Sequence, residues 1–418
     1  MNRRDIFDWL RIGLLSFGGP AAQIALMHEL VVVKRKWMDE QQFLSTLSFC
    51  MLLPGPEAMQ LATYSGWRTN GLFGGLIAGL LFVLPGAFFM MGLAILYATL
   101  GDLPLVSALF YGVKAAVLVV VVQALFKISG KALKSWFAIA MAFCAFLAIY
   151  AFQLPYPLVI LGAGLAGVFS IASEYKQGAL QPPVSVHLSG TALRLFCWLA
   201  IWLGPLGLLL WLSPGLLSQI AQFFSVLALV TFGGAYSVLA YMAQDVVDIH
   251  GWLTAQEMLD GLGLAETTPG PLILVTQFVA FLAAFKQGGI LLGLAGATVA
   301  LWMTFAPCFL WIFAGGPYIE QITSQPKLNS ALKGITAAVV GVIFNLSLWF
   351  GLRVLFSEIQ TFQMGPVSID VPTFQSLDLT AAALFLGSLI LAFGYKTNVF
   401  ILLAVTALIG GGFRLFLG

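Results

Sequence analysis

The sequence has few charged residues for its length. Only 9% of its 418 residues are Asp, Glu, Lys or Arg, whereas 60% are hydrophobic. Globular domains carry about a quarter charged residues, so most of this chain must lie in lipid. Its 19 basic and 17 acidic residues nearly balance, which argues against nucleic acid as a partner. The composition therefore predicts an integral membrane protein.

Cysteine and histidine are also scarce, and their positions exclude several kinds of site. The four cysteines lie far apart in apolar runs, and the three histidines are scattered. No pair has metal-ligand or disulfide spacing, so we expect no metal and no cofactor. No nucleophile–base pair stands out, which disfavours an intramembrane enzyme. The absence of a Walker motif excludes an ATP-driven pump on this chain alone.

Apolar segments long enough to cross a bilayer recur along the chain. They predict an all-α, multi-pass bundle of roughly 13 helices, at residues 5–33, 40–66, 71–99, 105–126, 134–152, 156–173, 192–212, 216–244, 256–285, 288–315, 330–356, 376–394 and 397–417. A polar stretch after the sixth span precedes one connecting span. We divide the chain into a first transmembrane repeat (1–175), a linker with the connecting helix (176–213) and a second repeat (214–418).

The segment Pro54-Gly55-Pro56 interrupts one of these apolar runs. Proline and glycine disfavour continuing the preceding helix, whereas proline fits the first turn of a new one. A helix that ends near Leu53 and another that begins near Pro56 would present free N–H groups and a positive dipole end within the membrane. Such a helix start is a site for an anion. The alternative is that the motif only kinks a packed helix.

The motif occurs twice, which predicts an internal duplication. Thr268-Pro269-Gly270-Pro271 repeats it 215 positions later, and Ser16-Phe17-Gly18-Gly19 recurs as Thr231-Phe232-Gly233-Gly234 at the same offset. Farther along, paired residues recur at an offset of 222: Pro85 with Pro307, Gly112 with Gly334 and Gln123 with Asn345.

The relative orientation of the two copies depends on whether every predicted span crosses fully. With six spans in each copy and one connector, the second copy starts on the opposite face, and the repeats are inverted. If 40–66 and 256–285 are re-entrant instead, five spans per copy would make the repeats parallel. We favour inverted repeats, although Lys34-Arg35-Lys36 then falls outside, against the positive-inside rule.

The duplicated blocks resemble the paired motifs of the CHR family, the chromate ion transporters. The resemblance is carried by Phe17-Gly18-Gly19-Pro20 with Pro54-Gly55-Pro56 and by Phe232-Gly233-Gly234 with Pro269-Gly270-Pro271, and it covers both halves. It implies a long-chain member with antiparallel halves that exports chromate across the inner (plasma) membrane and gives chromate resistance. Sulfate is the natural mimic. Ala235 stands where the first copy has Pro20, so the second helix is expected to be less sharply broken there.

In inverted halves the two breaks would face each other near the midplane, and their free N–H groups would cradle a tetrahedral oxyanion. The two Gly-Gly pairs either unwind their helices toward the substrate or allow close helix packing. The predicted substrate-binding residues are Gly18, Gly19, Pro54, Gly55, Pro56, Glu57, Ala58, Gly233, Gly234, Thr268, Pro269, Gly270, Pro271, Leu272 and Lys114.

Charges within the apolar segments suggest further roles. Glu57 and Glu266 flank the breaks and are candidate proton carriers, although Glu57 would also suit any helix start. Lys114 would neutralise a dianion, pair with Glu57, or extend to the membrane surface. Lys34-Arg35-Lys36 and Arg68 either form a vestibule that concentrates anions or simply orient their helices.

These features predict a secondary transporter coupled to protons or to a counter-anion. Its partners would be chromate or a sulfate-like oxyanion, the lipid bilayer and a second copy of the chain in a homodimer, with no nucleic acid. The alternatives are an anion channel, which could use the same helix ends without alternating access, and a carrier of another oxyanion or of a lipid phosphate.

Overall fold

A computed structural model describes residues 1–101, 103–170, 188–212, 215–232, 235–319, 322 and 325–416. Its helices are α1 (Arg3–Leu15), α2 (Gly19–His28), α3 (Glu40–Leu52), α4 (Glu57–Leu100), α5 (Pro104–Ala132), α6 (Trp136–Tyr150), α7 (Tyr156–Ser170), α8 (Leu188–Leu212), α9 (Leu216–Val230), α10 (Ala235–Gln244), α11 (Ala255–Thr267), α12 (Val275–Gly315), α13 (Pro326–Leu355), α14 (Leu379–Leu389) and α15 (Val399–Phe416). The predicted linker at 176–187 lies outside the described residues.

Six helical segments in the described ranges are long and apolar enough to cross a bilayer. They are Glu57–Leu100, Pro104–Ala132, Leu193–Leu212, Leu272–Tyr318, Pro326–Leu355 and Val399–Phe416. Four shorter apolar helices accompany them: Trp136–Tyr150, Tyr156–Ser170, Leu216–Val230 and Leu379–Gly394. The expected all-α, multi-pass membrane protein is confirmed.

Helices α4 and α12 are each two helical arms joined at a sharp reversal. The reversal in α4 lies at Asn70 and Gly71, where Gly71 has φ 66°, and that in α12 lies at Gly288 and Gly289, where Gly289 has φ 70°. A Cβ on Gly66 would lie 2.4 Å from the carbonyl oxygen of Gly74, although eight residues of straight helix would separate them by about 12 Å. The backbone therefore turns back at each of these points. Each helix consists of a short arm (57–69 in α4, 275–287 in α12) and a long arm (72–100 in α4, 290–315 in α12).

The segment 5–33, predicted as one span, is a helical hairpin. Helices α1 and α2 are separated by residues 16–18, and the ring of Trp9 stacks on that of Trp37 at 5.6 Å between centroids. Arg35 also forms an ion pair with Asp8. The same arrangement occurs at 216–244, where the ring of Phe223 on α9 lies 5.7 Å from that of Trp252. Each pair of helices therefore begins and ends near the same end of the molecule.

The segments 40–66 and 256–285 are hairpins too, which is the alternative that the sequence left open. Phe49 of α3 and Tyr64 of the short arm of α4 contact the consecutive residues Gly315 and Gly316. Gly261 of α11 likewise lies against the ring of Phe278 on the short arm of α12. Each of these segments is therefore two short helices joined at a break, as the re-entrant alternative requires, and the number of full spans per copy stays a prediction.

Two ends of the molecule can be defined from the long arm of α4. It runs from Gly74, beside the short arm, past Gly86 at the carbonyl of Pro269, to Tyr97 beside Asp260 and Phe278. Twenty-three residues of helix span about 35 Å, close to the thickness of a bilayer. We call the end with Gly74 and Trp37 the amino-terminal end and the end with Tyr97 the β-hairpin end.

A two-stranded antiparallel hairpin, which the sequence did not reveal, follows α13. Strands β1 (Ile359–Met364) and β2 (Val367–Pro372) pair from Ile359 opposite Pro372 to Met364 opposite Val367. The backbone N–H of Ser368 donates to the carbonyl of Ala151 at 2.8 Å, which fixes the hairpin to the end of α6. A corresponding segment between α5 and α6 is absent, because only Leu133 to Ser135 separate those helices.

The two halves interlock through close contacts at glycine. Gly112 of α5 and Gly334 of α13 occupy matching positions in the two copies. A Cβ on Gly112 would lie 1.9 Å from the carbonyl oxygen of Thr406, and one on Gly334 would lie 2.4 Å from that of Ala163. Each of these helices packs on a helix of the other half, which small residues permit in membranes.

Candidate functional site

The two Pro-Gly-Pro breaks meet the ends of α1 and α9 through reciprocal backbone hydrogen bonds. The N–H of Gly55 donates to the carbonyl of Thr231 at 2.9 Å, and the N–H of Gly270 donates to the carbonyl of Ser16 at 2.8 Å. Each break is therefore bonded to the other half of the chain. The sequence analysis predicted that both breaks lie in one site, and these two hydrogen bonds hold them near each other in the structure.

The central glycine of each break is required by its conformation. Gly55 has φ 111° and Gly270 has φ 92°, values that side chains other than glycine rarely adopt. Space is also limited: a Cβ on Gly55 would lie 2.9 Å from Sγ of Cys308, and one on Gly270 would lie 3.5 Å from Cα of Gly86.

A helix begins directly after each break. Pro56 is the N-cap of α4, so Glu57 and Ala58 contribute the first N–H groups of that helix. Pro271 precedes a 3₁₀ turn over Leu272–Leu274, which leads into α12. N–H groups in a first helical turn have no acceptor within their own helix. Both breaks thus supply donors for an anion.

Two glutamine side chains donate hydrogen bonds to backbone carbonyls of the breaks, and the sequence analysis missed both. The amide of Gln23 is buried and donates to the carbonyl of Gly270 at 2.7 Å. Gln60 donates to the carbonyl of Pro54, also at 2.7 Å. The signal available in the sequence was an amide in an otherwise apolar helix, close to a duplicated break. The second copy has Val238 where the first has Gln23.

A small cavity of about 10 Å³ lies between the breaks, which is room for about one water molecule. Its walls combine residues of both breaks with the starts of α2 and α10, and they comprise Pro20, Gln23, Gly55, Pro56, Glu57, Ala58, Thr231, Ala235, Pro271, Leu272 and Ile273. Six of the predicted substrate-binding residues therefore line one cavity: Gly55, Pro56, Glu57, Ala58, Pro271 and Leu272.

Five further predicted binding residues lie outside the list of cavity-wall residues. Gly18 and Gly19 have φ 82° and 76°, and a Cβ on Gly19 would contact nothing within 4 Å. This favours the unwound-helix interpretation over close packing. Gly233 and Gly234 lie outside the described residues. Thr268 directs its hydroxyl to the carbonyl of Leu264 on its own helix.

The two predicted proton carriers have different surroundings. Glu57 lines the cavity, and no basic side chain pairs with it among the described residues. Glu266 lies one turn before the second break and accepts a hydrogen bond of 2.8 Å from the hydroxyl of Tyr236. Tyr236 follows Ala235 of the cavity wall, so both carboxylates lie close to the breaks.

Lys114 lies away from the cavity wall. Its Nζ atom is 3.5 Å from Oδ1 of Asp260, so Lys114 pairs with this aspartate and not with Glu57, which was one of the three roles that the sequence left open. Tyr97 donates to Oδ2 of the same aspartate at 2.8 Å. The sequence analysis did not single out Asp260, although an aspartate within an apolar helix was a usable signal.

The predicted vestibule residues lie at the amino-terminal end. Lys34 pairs with Glu29 at 2.7 Å, and the pKa of the Glu29 carboxyl is lowered by that hydrogen bond and by the charge of the lysine. Arg35 pairs with Asp8 and lies over the ring of Trp37. Arg68 is near the end of the short arm of α4, next to the reversal.

Helical hairpins whose broken tips meet around a buried cavity, within a multi-pass apolar bundle, are typical of membrane transporters. Comparison with known families agrees with this class. The family model described as chromate transporter matches residues 5–168 and 218–411. The chain belongs to the chromate transporter family.

Individual relatives are similar over most of their length. The chain is 30% identical over 362 residues to a probable chromate transport protein of Synechococcus elongatus, covering 86% of this chain and 87% of that one. It is 31% identical to a chromate transport protein of Pseudomonas aeruginosa (80% and 77% covered) and 29% identical to one of Cupriavidus metallidurans (82% and 80%). No solved structure matches.

Family membership supports transport of chromate, and it identifies the chain as a transporter rather than an enzyme. The apolar helices and the family together indicate a multi-pass membrane protein, consistent with the plasma membrane of bacteria.

Proposed function

We propose that the protein is a secondary active transporter that binds chromate as a tetrahedral oxyanion between the two breaks and exports it, which gives chromate resistance. The observation that carries the proposal is the reciprocal bonding of Gly55 to Thr231 and of Gly270 to Ser16. These bonds hold two helix starts against one cavity, and a helix start favours a negative charge through its free N–H groups and its dipole.

The cavity must widen to take the substrate. Its volume of about 10 Å³ suits one water molecule, whereas chromate has five heavy atoms. We interpret this state as closed on both sides. The glycines with positive φ at both breaks and at Gly18-Gly19 are positions where backbone rotation meets little steric resistance, so movement of the hairpin tips would open the cavity.

The carboxylates beside the cavity account for coupling to protons. A dianion next to Glu57 and Glu266 would be repelled unless these groups carried protons. Protons would therefore have to bind these carboxylates while chromate occupies the cavity. For an inward proton gradient to drive export, the protons would leave toward the cytoplasm after chromate has left on the other side. Ionisable groups inside membrane proteins are costly and usually serve such roles.

The contacts of the hairpins support inverted repeats. Tyr64, on the short arm of α4 after the first break, lies toward the amino-terminal end. Phe278, on the short arm of α12 after the second break, lies toward the β-hairpin end. Each copy has two segments that form hairpins: 5–33 and 40–66 in the first copy, and 216–244 and 256–285 in the second. If these four segments do not cross, four of the six predicted spans remain in each copy, which is an even number. The connecting helix α8 then starts the second copy on the opposite side, so re-entrant segments and inverted repeats are compatible.

The basic residues support a cytoplasmic amino-terminal end. At that end lie Arg3, Arg4, Arg11, Lys34, Arg35, Lys36, Arg68, Lys127, Lys131, Lys134, Arg194, Lys327, Lys333 and Lys396, whereas Lys286, Arg353 and Arg414 lie toward the β-hairpin end. Because α1 and α2 form a hairpin, Lys34-Arg35-Lys36 returns to the side of the N-terminus. The cluster would thus concentrate anions on the cytoplasmic side, which is the side from which an exporter takes up its substrate.

This orientation predicts the labelling pattern of cysteines introduced one at a time at two matched exposed positions, Lys36 and Gly251. In intact cells, a membrane-impermeant maleimide should label a cysteine at Gly251 and spare one at Lys36, and inside-out vesicles should give the reverse. Labelling of both positions from one side would contradict inverted repeats. The parent protein, with its four native cysteines, is the control for background labelling.

Transport itself is tested with purified protein in liposomes. We expect labelled chromate flux that saturates, follows an imposed pH gradient and is reduced by sulfate. Fast, non-saturating flux that ignores the gradient would favour an anion channel, and efficient competition by a short-chain lipid phosphate but not by sulfate would favour a lipid-phosphate carrier. A second copy of the chain as partner stays a prediction, to be tested by the mass of the detergent-solubilised protein.

A further inference from the structure

Helix α11 carries acidic side chains at three depths between the β-hairpin end and the second break. Glu257 lies in its first turn, Asp260 in its second, and Glu266 beside the break. Steps of three and six residues correspond to about 4.5 Å and 9 Å along a helix. The matching positions of α3 in the first copy are Gln42, Ser45 and Met51. The acidic series is therefore present in one copy and absent from the other.

The middle member of this series is buried between the two halves. Asp260 is 4% exposed, and the groups around it come from the first copy: Lys114 of α5 and Tyr97 of α4. Its Oδ1 atom accepts no hydrogen bond within the described part of the chain and has only Lys114 Nζ at 3.5 Å. The positions that match Lys114 and Tyr97 in the second copy are Thr336 and Ile319, so this cluster too has no counterpart.

Charged groups on the neighbouring elements are engaged elsewhere. Glu257 pairs with Lys286 of α12 at 2.7 Å. Arg353 of α13 pairs with Asp248 at 3.5 Å and with Asp370 at 3.6 Å. On α15, Arg414 lies over the ring of Tyr111. Asp260 therefore has one basic partner, Lys114, among the described residues.

We propose that α11 is a one-sided proton path, in which Asp260 receives a proton from the β-hairpin end and passes it, through a chain of intervening waters, to Glu266 beside the oxyanion cavity. This inference rests on the proposed proton-coupled transport and deepens it. The proton enters as H⁺ from water near Glu257, binds a carboxylate oxygen of Asp260 and releases that carboxylate from Lys114. It then moves to a carboxylate oxygen of Glu266, and the ion pair re-forms. Because α3 has no acidic residue at the matching positions, protons would reach the cavity from the β-hairpin end only, and they would leave through the cavity itself when it next opens toward the amino-terminal end.

The test separates proton coupling from chromate movement. Purified Asp260→Asn protein in liposomes is compared with the parent in two assays: net chromate flux driven by a pH gradient, and chromate–chromate exchange at equal pH, which moves no net proton. We expect driven flux to fall at least about tenfold, with exchange within about twofold of the parent. Ser45→Asn, at the matching position of α3, is the control and should change neither assay.

An unpaired Lys114 in the variant could itself disturb folding, so the double variant Asp260→Asn/Lys114→Gln removes both charges together and should behave in the same way. Unchanged driven flux in both variants would overturn the path. Loss of exchange in the folded double variant would overturn it as well, because a proton relay is not needed for exchange. A parent protein that exchanges chromate but ignores the gradient also overturns the path while leaving transport intact, whereas a parent without exchange refutes the proposed function itself.

Discussion

Replacement of both Gly55 and Gly270 with leucine should lower chromate flux into liposomes by at least about a hundredfold while leaving membrane insertion intact. Both glycines have left-handed backbone conformations, with φ 111° and 92°, which cost other residues about 1–2 kcal/mol. A side chain at Gly55 would also meet Cys308 at 2.9 Å. The substitutions would displace the backbone that holds the two helix starts at the cavity.

A matched control is leucine at Gly92, in the long arm of α4. That glycine is helical, is exposed on the outer surface of the bundle, and would place a Cβ with nothing within 4 Å. We expect the Gly92→Leu protein to keep at least about half of the parent flux. Normal flux in the double variant would show that the breaks are structural kinks and that the oxyanion passes elsewhere.

The location of the candidate site could be predicted because its signal is local and duplicated. A Pro-Gly-Pro segment ends one helix and starts the next whatever its surroundings, and its recurrence at Thr268-Pro269-Gly270-Pro271 shows that the feature is not incidental. The partners of the breaks could not be predicted in the same way. Hydrogen bonds such as that of Gln23 to Gly270 join residues 247 positions apart, and one sequence contains no record of such pairs.

The hairpins were harder to predict because length and hydrophobicity do not distinguish a crossing from a return. The segment 5–33 is long enough to span a bilayer, but the contacts of Trp9 with Trp37 and of Asp8 with Arg35 show that it turns back. The misfit of Lys34-Arg35-Lys36 with the positive-inside rule was the available clue. The β-hairpin at 359–372 gave no comparable signal, since a polar connection between helices has many possible structures.

The asymmetry between the copies bears on the direction of transport. The breaks are duplicated, but the charges around them are not: Glu57 corresponds to Leu272, and Glu266 corresponds to Met51. A cavity between two duplicated breaks can bind the same anion from either side, while carboxylates that are not duplicated exchange protons differently with each side. In a transporter built from two copies, direction would then be set by the residues that differ between them.

Removal of the two carboxylates at the breaks should abolish the pH dependence of anion binding. In the parent protein, sulfate, which stays a dianion near neutral pH, should bind more weakly wherever a rise in pH removes protons from Glu57 and Glu266, because the ionised carboxylates repel it. Glutamine copies the protonated side chain. We therefore expect the Glu57→Gln/Glu266→Gln protein to bind sulfate at about pH 8 roughly tenfold more tightly than the parent, with little change at the lower pH.

The measurement is direct binding of labelled sulfate to purified protein at a series of pH values. Glu358→Gln, which removes an exposed carboxylate next to the β-hairpin, is the control and should follow the parent curve. The same double variant should lose flux driven by a pH gradient, since neither position can then bind and release a proton. Tighter binding combined with lost pumping would be hard to explain by damage to the fold, because a distorted cavity would weaken both. A parent curve that is flat with pH would instead remove these carboxylates from the coupling mechanism and favour exchange against a counter-anion.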